Sequence, residues 1–417
     1  MSKYHLIAIF LTLFDFLTLS VASLINPTCI DEETAFNDDF TILIPIFGDL
    51  RYLKNIKFLQ NYGKRVLLCS TNQESNEFNR EINQIARDFG FRIHRSSIRK
   101  TNGRVKPNPW KLFTKTLSNS RITTDARDEI IANSFVVVKT KFCIFLDGDT
   151  ESNDSLYRLV GLMDEKNYDI ASVRVLVAKP TTLTEKLQAI EYQFAMDARR
   201  VYPWLTSGAC MVAKTKVIRD IMQHHSLFFS GGDIEVGKLA KLLHYRVGHL
   251  AFEFFTDAPS TFAAWFRQRM AWAGGGFRHS IINGYKYTWR HPFYFLYFTV
   301  VVYGLVAIRW YDAIRFYRLI PAVIVVYWIL LFAFRWKNRS WLFFLFPFYA
   351  LTQVMLIVPL GIYRYTVMAV QSRNIGIIRL RDKPSRKRAR VRKQRTGITE
   401  MPRGNQFIPQ SRATRLG

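Results

Sequence analysis

Cysteine is scarce in this chain. Four occur in 417 residues, Cys29, Cys69, Cys143 and Cys210, scattered and without metal-type spacing. That pattern argues against a disulfide framework and against a thiolate zinc site. Acidic residues are also in deficit: 32 Asp and Glu stand against 59 Lys and Arg, for a formal net charge of +27. From Arg373 onward 14 Lys or Arg face only Asp382 and Glu400, so +15 remains on residues 1–372. The excess is therefore more than a tail effect, and it points to an anionic membrane face or to phosphate-bearing ligands. No aromatic-basic recognition module accompanies the basic tail. Nucleic acid is not an expected partner, and a polybasic segment beside apolar helices suits anionic membrane lipids.

What is abundant is apolar and aromatic. Aromatics make up 15% of the chain, with 34 Phe, concentrated after residue 290. Residues 6–25 are an apolar run broken only by Asp15 and a few hydroxyls, long enough to cross a bilayer. Asp15 and a weakly basic start favour an anchor over residues 1–26. A cleavable signal peptide is the alternative, with Ser20-Val21-Ala22-Ser23 supplying small residues. Residues 293–308, 319–334 and 341–369 are further apolar runs separated by short basic loops, expected as transmembrane or interfacial helices within residues 281–370. The first two are short for a span. The third contains Pro347 and Pro359 and reads as one kinked span or a re-entrant pair. The tail, residues 371–417, is basic and non-periodic and is expected to be disordered and cytoplasmic. The expected location is a multi-pass membrane protein with residues 27–280 in the cytoplasm. Three full spans after that domain would put the tail outside, against the positive-inside tendency, so one segment is expected to be re-entrant or interfacial.

Residues 27–280 alternate strands (near 40–48, 65–69, 91–94, 142–146 and 171–177) with helices (near 50–62, 74–89 and 182–201). This is the pattern of an α/β fold with a doubly wound sheet. The stretch Phe142-Cys143-Ile144-Phe145-Leu146-Asp147-Gly148-Asp149-Thr150 is a buried strand that stops at two carboxylates. Strands of such sheets deliver side chains to their carboxyl edge, where ligands bind. Asp147 and Asp149 flank a glycine and can converge on one hard cation, Mg²⁺ or Mn²⁺, which takes one or two carboxylates plus substrate phosphates. That suits a nucleotide diphosphate. Other segments are ambiguous alone. Residues 99–111 hold Arg99, Lys100, Arg104, Lys106 and Lys111 among Gly103, Pro107 and Pro109, either a solvated loop or a cationic loop over a diphosphate. Ser207-Gly208-Ala209 is a small-residue turn that lets a substrate approach the backbone. Asp233 opens a helix, where an acid also serves as a cap. Arg267 to Gly276 interleaves Trp272 with arginines, as an amphipathic surface helix or as a sugar- and phosphate-gripping one.

Taken together and in this order, the segments over about residues 40–280 resemble the family 2 inverting glycosyltransferases fused to membrane helices. Cellulose, chitin and hyaluronan synthases belong there, and ceramide glucosyltransferases share much of the pattern. Ile44-Pro45 is similar to the opening strand that receives uridine. Asn102-Gly103-Arg104, with Lys106 or Lys111, is similar to a Gly-Lys loop. Asp147-Gly148-Asp149 is similar to the DxD motif, and Ser207-Gly208-Ala209 to the turn near the acceptor. Gly232-Asp233 is similar to the catalytic pair. Asp257-Ala258-Pro259 and then Gln268-Arg269-Met270-Ala271-Trp272 are similar to the Pro segment and the QxxRW box. Two departures stand out: Ala271 replaces the box's Arg, for which Arg267, Arg269 or Arg278 could substitute. Ser70-Thr71-Asn72 replaces an acidic residue, with Glu74 nearby.

The resemblance implies a GT-A-type mixed sheet and a UDP-sugar donor. Pro45, Arg104, Lys106, Asp147, Asp149, Gln268, Arg269 and Trp272 are then the donor and metal site, with Asp147 and Asp149 on Mg²⁺ or Mn²⁺. Asp233 is the catalytic base, acting on a saccharide or lipid acceptor. The expected product is a growing β-linked polysaccharide, with export coupled to synthesis as a further expectation. A single sugar placed on a ceramide- or polyprenyl-type lipid is the alternative.

Overall fold

The computed structural model describes residues 35–98, 126–288, 302–315, 317–335 and 340–378, with isolated positions between 16 and 25 and between 291 and 299. The expected anchor at residues 1–26 lies almost wholly outside the described residues. Arg104, Lys106 and the basic tail beyond residue 378 also lie outside them.

Seven strands form one sheet in the order β3-β2-β1-β4-β6-β5-β7. They are β1 (Phe40–Pro45), β2 (Val66–Thr71), β3 (Arg92–Ser96), β4 (Phe142–Leu146), β5 (Ile170–Val177), β6 (Cys210–Lys214) and β7 (Val247–Thr256). β1 and β4 are apolar along their length and buried on both faces, as central strands covered by helices on each side must be. They pair in parallel, Phe40 opposite Phe142 and Leu43 opposite Phe145. β6 alone runs against its neighbours, with Leu146 opposite Cys210 and Ser172 opposite Met211. The sheet is therefore mixed. This reversal matters for function: the start of β6 meets the carboxyl ends of β1, β4, β5 and β7 at one edge.

The helices follow local signals. α1 (Asn76–Phe89) opens on Ser75, whose hydroxyl accepts from the Phe78 N–H at 3.1 Å, and closes on Gly90 at φ 70°. α2 (Ala126–Ser134) precedes β4, and α3 (Leu156–Glu165) follows it. α4 (Leu183–Val201) carries a Thr182/Glu185 capping box. α5 (Thr215–His224), α6 (Gly232–Leu242) and α7 (Phe262–Phe277) complete the domain.

Beyond it lie α8 (Val302–Arg315), α9 (Ile320–Phe334) and α10 (Phe346–Ser372). Of the several spans expected, one is found among the described residues. α9 has 15 residues, about 22 Å at 1.5 Å per residue, short of a hydrocarbon core of about 30 Å. Among the described residues α10 alone, with 27 residues, is long and apolar enough to cross a membrane. It is one continuous helix rather than a re-entrant pair. A π-helical turn at Gln353–Ile357 precedes Pro359, whose ring and missing N–H disturb the turn before it.

α10 does not stand away from the domain. It lies along α7: Trp265 Nε1 donates to the Tyr349 hydroxyl at 2.7 Å, and Phe277 packs on Tyr365. Between these contacts a Cβ on Gly361 would stand 2.7 Å from Ala273 Cβ and from the Met270 carbonyl, so the two backbones touch. The chain after α10 folds back to the domain, where Asn283 Nδ2 donates to Gly376 O at 3.1 Å and Ile378 N–H to Asn283 Oδ1 at 3.0 Å.

Candidate active site

β4 delivers Leu146 to the sheet edge and the chain turns at once. The Asp147 N–H donates to Ala209 O at 3.0 Å, next to the start of β6. The Lys54 and Asn55 N–H groups both donate to Gly148 O, at 2.7 and 3.1 Å. The Asn55 amide donates to Asp147 O at 3.1 Å and Thr150 O at 2.6 Å. Gly148 is required for this closeness, since a Cβ there would stand 2.8 Å from the Tyr52 carbonyl. The turn is thus bolted to residues 52–55, and its two carboxylates are held at the edge.

Asp149 Oδ1 lies 3.3 Å from the hydroxyls of Thr150 and Thr256. Burial raises its pKa to about 6, and the charges of Asp147 and Asp257 push the same way. Asp257 itself is held by Lys54 at 2.5 Å. A carboxylate penalised by two neighbouring acids is one that a divalent cation would relieve. Among the described residues no cluster of three or more His, Cys, Asp or Glu is placed to hold a metal. A cation here would take two carboxylates and draw its other ligands from donor phosphates and water, which is the Mg²⁺ or Mn²⁺ habit.

On the other side of Asp147 stands Arg127, from α2, a residue the sequence reading did not single out. Its Nη2 donates to Asp147 Oδ1 at 2.8 Å and to Gly208 O at 2.5 Å. A Cβ on Gly208 would stand 3.5 Å from both Arg127 Nη1 and Asp233 Oδ2. Asp147, Arg127, the Gly208 turn and Asp233 therefore form one contiguous group, although they come from four segments. Burial raises the pKa of the Asp233 carboxyl, and the guanidiniums of Arg127 and Arg199 pull it back. Enclosure works against the Arg127 charge, yet Asp147, Asp128 and Asp233 around it leave its pKa above the ordinary arginine value.

Asp233 lies in the first turn of α6, entered through Gly231 at φ 92°. The loop before it is fixed from behind. Buried Glu235 pairs with buried Arg278 at 2.9 Å and accepts from the Ser226 N–H and hydroxyl at 2.5 and 2.7 Å. The ring of His279 meets Gly231 O at 2.9 Å. Arg278 is thus committed to Glu235 and does not replace the arginine absent at position 271.

The remaining described site residues that were expected lie on β1 and α7. Pro45 ends β1 at the same edge. Glu74 stands beside it, accepting from the Gly48 N–H at 3.0 Å and from the Thr71 hydroxyl at 2.9 Å. Gln268, Arg269 and Trp272 lie on α7. Arg269 is 3% exposed and spends its guanidinium on Glu191 of α4 (2.7 and 3.1 Å), Gln188 (3.3 Å) and Gln268 (2.5 Å). The Tyr349 hydroxyl of α10 also bonds Glu191. Arg269 further stacks 4.1 Å over the ring of Trp272, which is half exposed. The structure therefore places Arg269 as a clamp between α4, α7 and α10, while Trp272 presents an open ring.

A search of curated protein sequences found no match. Solved structures of similar fold include the mannosyltransferase PcManGT from Pyrobaculum calidifontis in complex with GDP-Man and Mn²⁺. It shares 12% identity over 88% of this chain and 97% of that one, at a TM-score of 0.48. They also include S. aureus TarS 1–349 in complex with UDP-GlcNAc (13% identity, 81% and 92%, TM-score 0.36). A third is glucosyl-3-phosphoglycerate synthase from Mycobacterium tuberculosis in complex with Mn²⁺, UDP and glucosyl-3-phosphoglycerate (10% identity, 60% and 86%, TM-score 0.35). The family model described as glycosyl transferase family group 2 matches residues 142–360, from the strand that ends in Asp147 through α7 and into α10. Over half of the sequence lies within that match, and the chain belongs to this family of glycosyltransferases.

Proposed function

We propose that the protein is a metal-dependent, inverting enzyme that moves a sugar from a UDP-sugar to an acceptor hydroxyl at the surface of a membrane. The observation that carries this reading is the juxtaposition of Asp147 and Asp233 about Arg127 and Gly208 at one sheet edge. Asp147 and Asp149 hold Mg²⁺ or Mn²⁺ with the donor diphosphate. The cation supplies charge neutralisation of the leaving group. Pro45 and Glu74 mark the nucleotide end, with Arg104 and Lys106 assigned to the diphosphate from the sequence.

Asp233 removes the proton of the attacking hydroxyl. Asp257 pairs with Lys54 and Glu235 with Arg278, while Asp147 and Asp149 are assigned to the cation. We read the reaction as a single displacement with Asp233 as its base, in which an α-linked donor gives a β-linked product. Trp272 offers the acceptor a ring face, while Gln268 and Arg269 fix that ring rather than bind phosphate.

The domain boundaries at residues 27–280 and 281–370 fit this arrangement, with residues 1–26 as anchor. α9 and α10 expose Ile329, Phe348, Leu356 and Tyr363, large apolar side chains suited to lipid. The basic tail then adheres to anionic headgroups on the cytoplasmic leaflet. We assign the acceptor as a growing polysaccharide. A membrane lipid is the second reading, favoured by the apolar face of α10 standing one helix away from Trp272.

Incubating purified protein with a panel of UDP-sugars and Mn²⁺ or Mg²⁺ should give UDP release with one or a few donors. Sizing of radiolabelled product separates long chains from a single sugar on lipid. Asp233→Asn should lower turnover about 10²–10⁴-fold, the worth of a general base. Near-normal transfer by that variant would remove Asp233 from the role.

A further inference from the structure

Arg127 has no role in the scheme above, yet it touches both halves of the site. Its Nη2 reaches Asp147 Oδ1 at 2.8 Å and Gly208 O at 2.5 Å, and its Nη1 lies 3.9 Å from Asp128 Oδ1. Its Nη1 and the Asp233 carboxylate both border the open side of Gly208. A planar fork of donors can hold two acceptors at fixed separation, which an ammonium on a flexible stem cannot do.

We propose that Arg127 is the positioning residue that ties the donor-side carboxylate Asp147 to the acceptor-side turn and base, Gly208 and Asp233. The inference rests on the reading of Asp147 and Asp233 given above. Through one guanidinium the carboxylate on the leaving-group side and the base on the opposite side are kept in register across the reacting carbon. Misplacement of such groups by about 1 Å costs roughly 10²-fold in rate. Gly208 keeps Arg127 and Asp233 close to one stretch of backbone, since a Cβ there would already meet both at van der Waals contact, 3.5 Å.

Among the described residues, Arg127 and Asp128 from α2 and Arg199 from α4 act electrostatically on Asp233. Arg199 is occupied with Leu205 O at 2.5 Å. Arg127 is thus the cation shared between the two carboxylates, and its loss should be felt at both.

The test uses the full-length protein and UDP release, with Arg127→Gln, Arg127→Lys, Asp233→Asn and the double variant R127Q/D233N. Arg127→Gln should lower kcat about 10²-fold and raise the donor KM. It should also move the acid limb of the kcat profile upward by about one pH unit, since an opposite charge at this range is worth one to three. Arg127→Lys keeps the charge but loses the fork, so its kcat should fall at least about tenfold with a smaller shift of the acid limb. On the Asp233→Asn background, Arg127→Gln should cost less than about threefold, because residues acting as one unit are not additive.

A full multiplicative loss in the double variant, or an unmoved acid limb in Arg127→Gln at a wild-type melting temperature, would overturn the proposal. Wild-type kinetics in Arg127→Lys would do the same, and that variant decides the matter if Arg127→Gln does not fold. Near-normal turnover by Asp233→Asn alone instead refutes the reading of the base on which the tie depends.

Discussion

The most searching prediction concerns the box on α7, because sequence pattern and structure assign Arg269 different partners. Glu191→Gln keeps the shape of the acceptor and removes its charge. Arg269 is then a guanidinium at 3% exposure without a counter-ion. Breaking a buried pair from one side costs about 3–5 kcal/mol. Glu191 is not wholly buried, its side chain being 23% exposed. A glutamine still accepts one hydrogen bond, and Trp272 still stacks on the guanidinium, so a loss of about 2–3 kcal/mol is expected. For a chain of this size that is a fall in melting temperature of roughly 2–4 °C.

The Tyr349 hydroxyl loses its acceptor at the same time, so amide exchange should quicken in α7 and in the start of α10 together. Calorimetric UDP affinity in the presence of Mn²⁺ should be unchanged, while the acceptor KM rises as Trp272 loses its support. Arg269→Met combined with Glu191→Leu should recover much of the stability lost in either single variant, as apolar pairs replacing buried ion pairs do. An unaltered melting temperature together with UDP binding weakened as much as by loss of Asp149 would refute the clamp and return Arg269 to the diphosphate.

Other outcomes follow from the same geometry. Asp149 has its pKa raised to about 6 in the folded state, so between the unfolded value and 6 the native form holds the extra proton and stability falls as pH rises. Asp149→Asn should therefore raise the metal-free melting temperature at pH 7, by the equivalent of about 2 kcal/mol, while abolishing metal-dependent UDP binding. In the wild type that binding should weaken as pH drops through 6, measured by calorimetry. Gly361→Leu places a side chain where a Cβ already stands 2.7 Å from the α7 backbone. It should destabilise the α7–α10 contact by about 3 kcal/mol or more, seen as faster exchange in α10 with the sheet unaffected.

The sheet was legible because its central strands are short apolar runs closed by turn residues, and β1, β2 and β4 fall where that signal is strongest. β7 was not seen. Val247–Thr256 alternates between buried and part-exposed positions as an edge strand does, but Gly248, His249 and Glu253 dilute its pattern. The Asp147-Gly148-Asp149 turn was readable from composition alone. Arg127 was not, because its meaning lies in contacts with Asp147 and Gly208, 20 and 81 residues away, and a single Arg at a helix start carries no local signature. The contact of Arg269 with Glu191 was hidden for a related reason: the two lie 78 residues apart. Of the apolar runs, 341–369 falls on the one described helix long and apolar enough to cross a membrane, while residues 1–26 lie almost wholly outside the described residues.

The last turns of α7 show why α10 and the loop carrying Asp233 belong to one mechanical unit. Gly274 and Gly275 are adjacent and face different neighbours. A Cβ on Gly274 would stand 2.7 Å from the Gly361 carbonyl of α10, and one on Gly275 would overlap the Ser230 carbonyl. Four residues on, Arg278 grips Glu235 and His279 meets Gly231 O. The loop that presents Asp233 is therefore packed on one side of a helix whose other side is α10, with glycine spacing that leaves no slack between them. Close-packed elements transmit displacement rather than absorb it. A shift of α10 must either open a gap at Gly274 or carry the Ser230–Gly231 backbone, and with it Asp233, along with α7. The absent arginine at position 271 fits this arrangement. Position 271 is part-exposed on a helix already fixed at Arg269 and Arg278, so Ala271 removes no contact on which the positioning of the base depends.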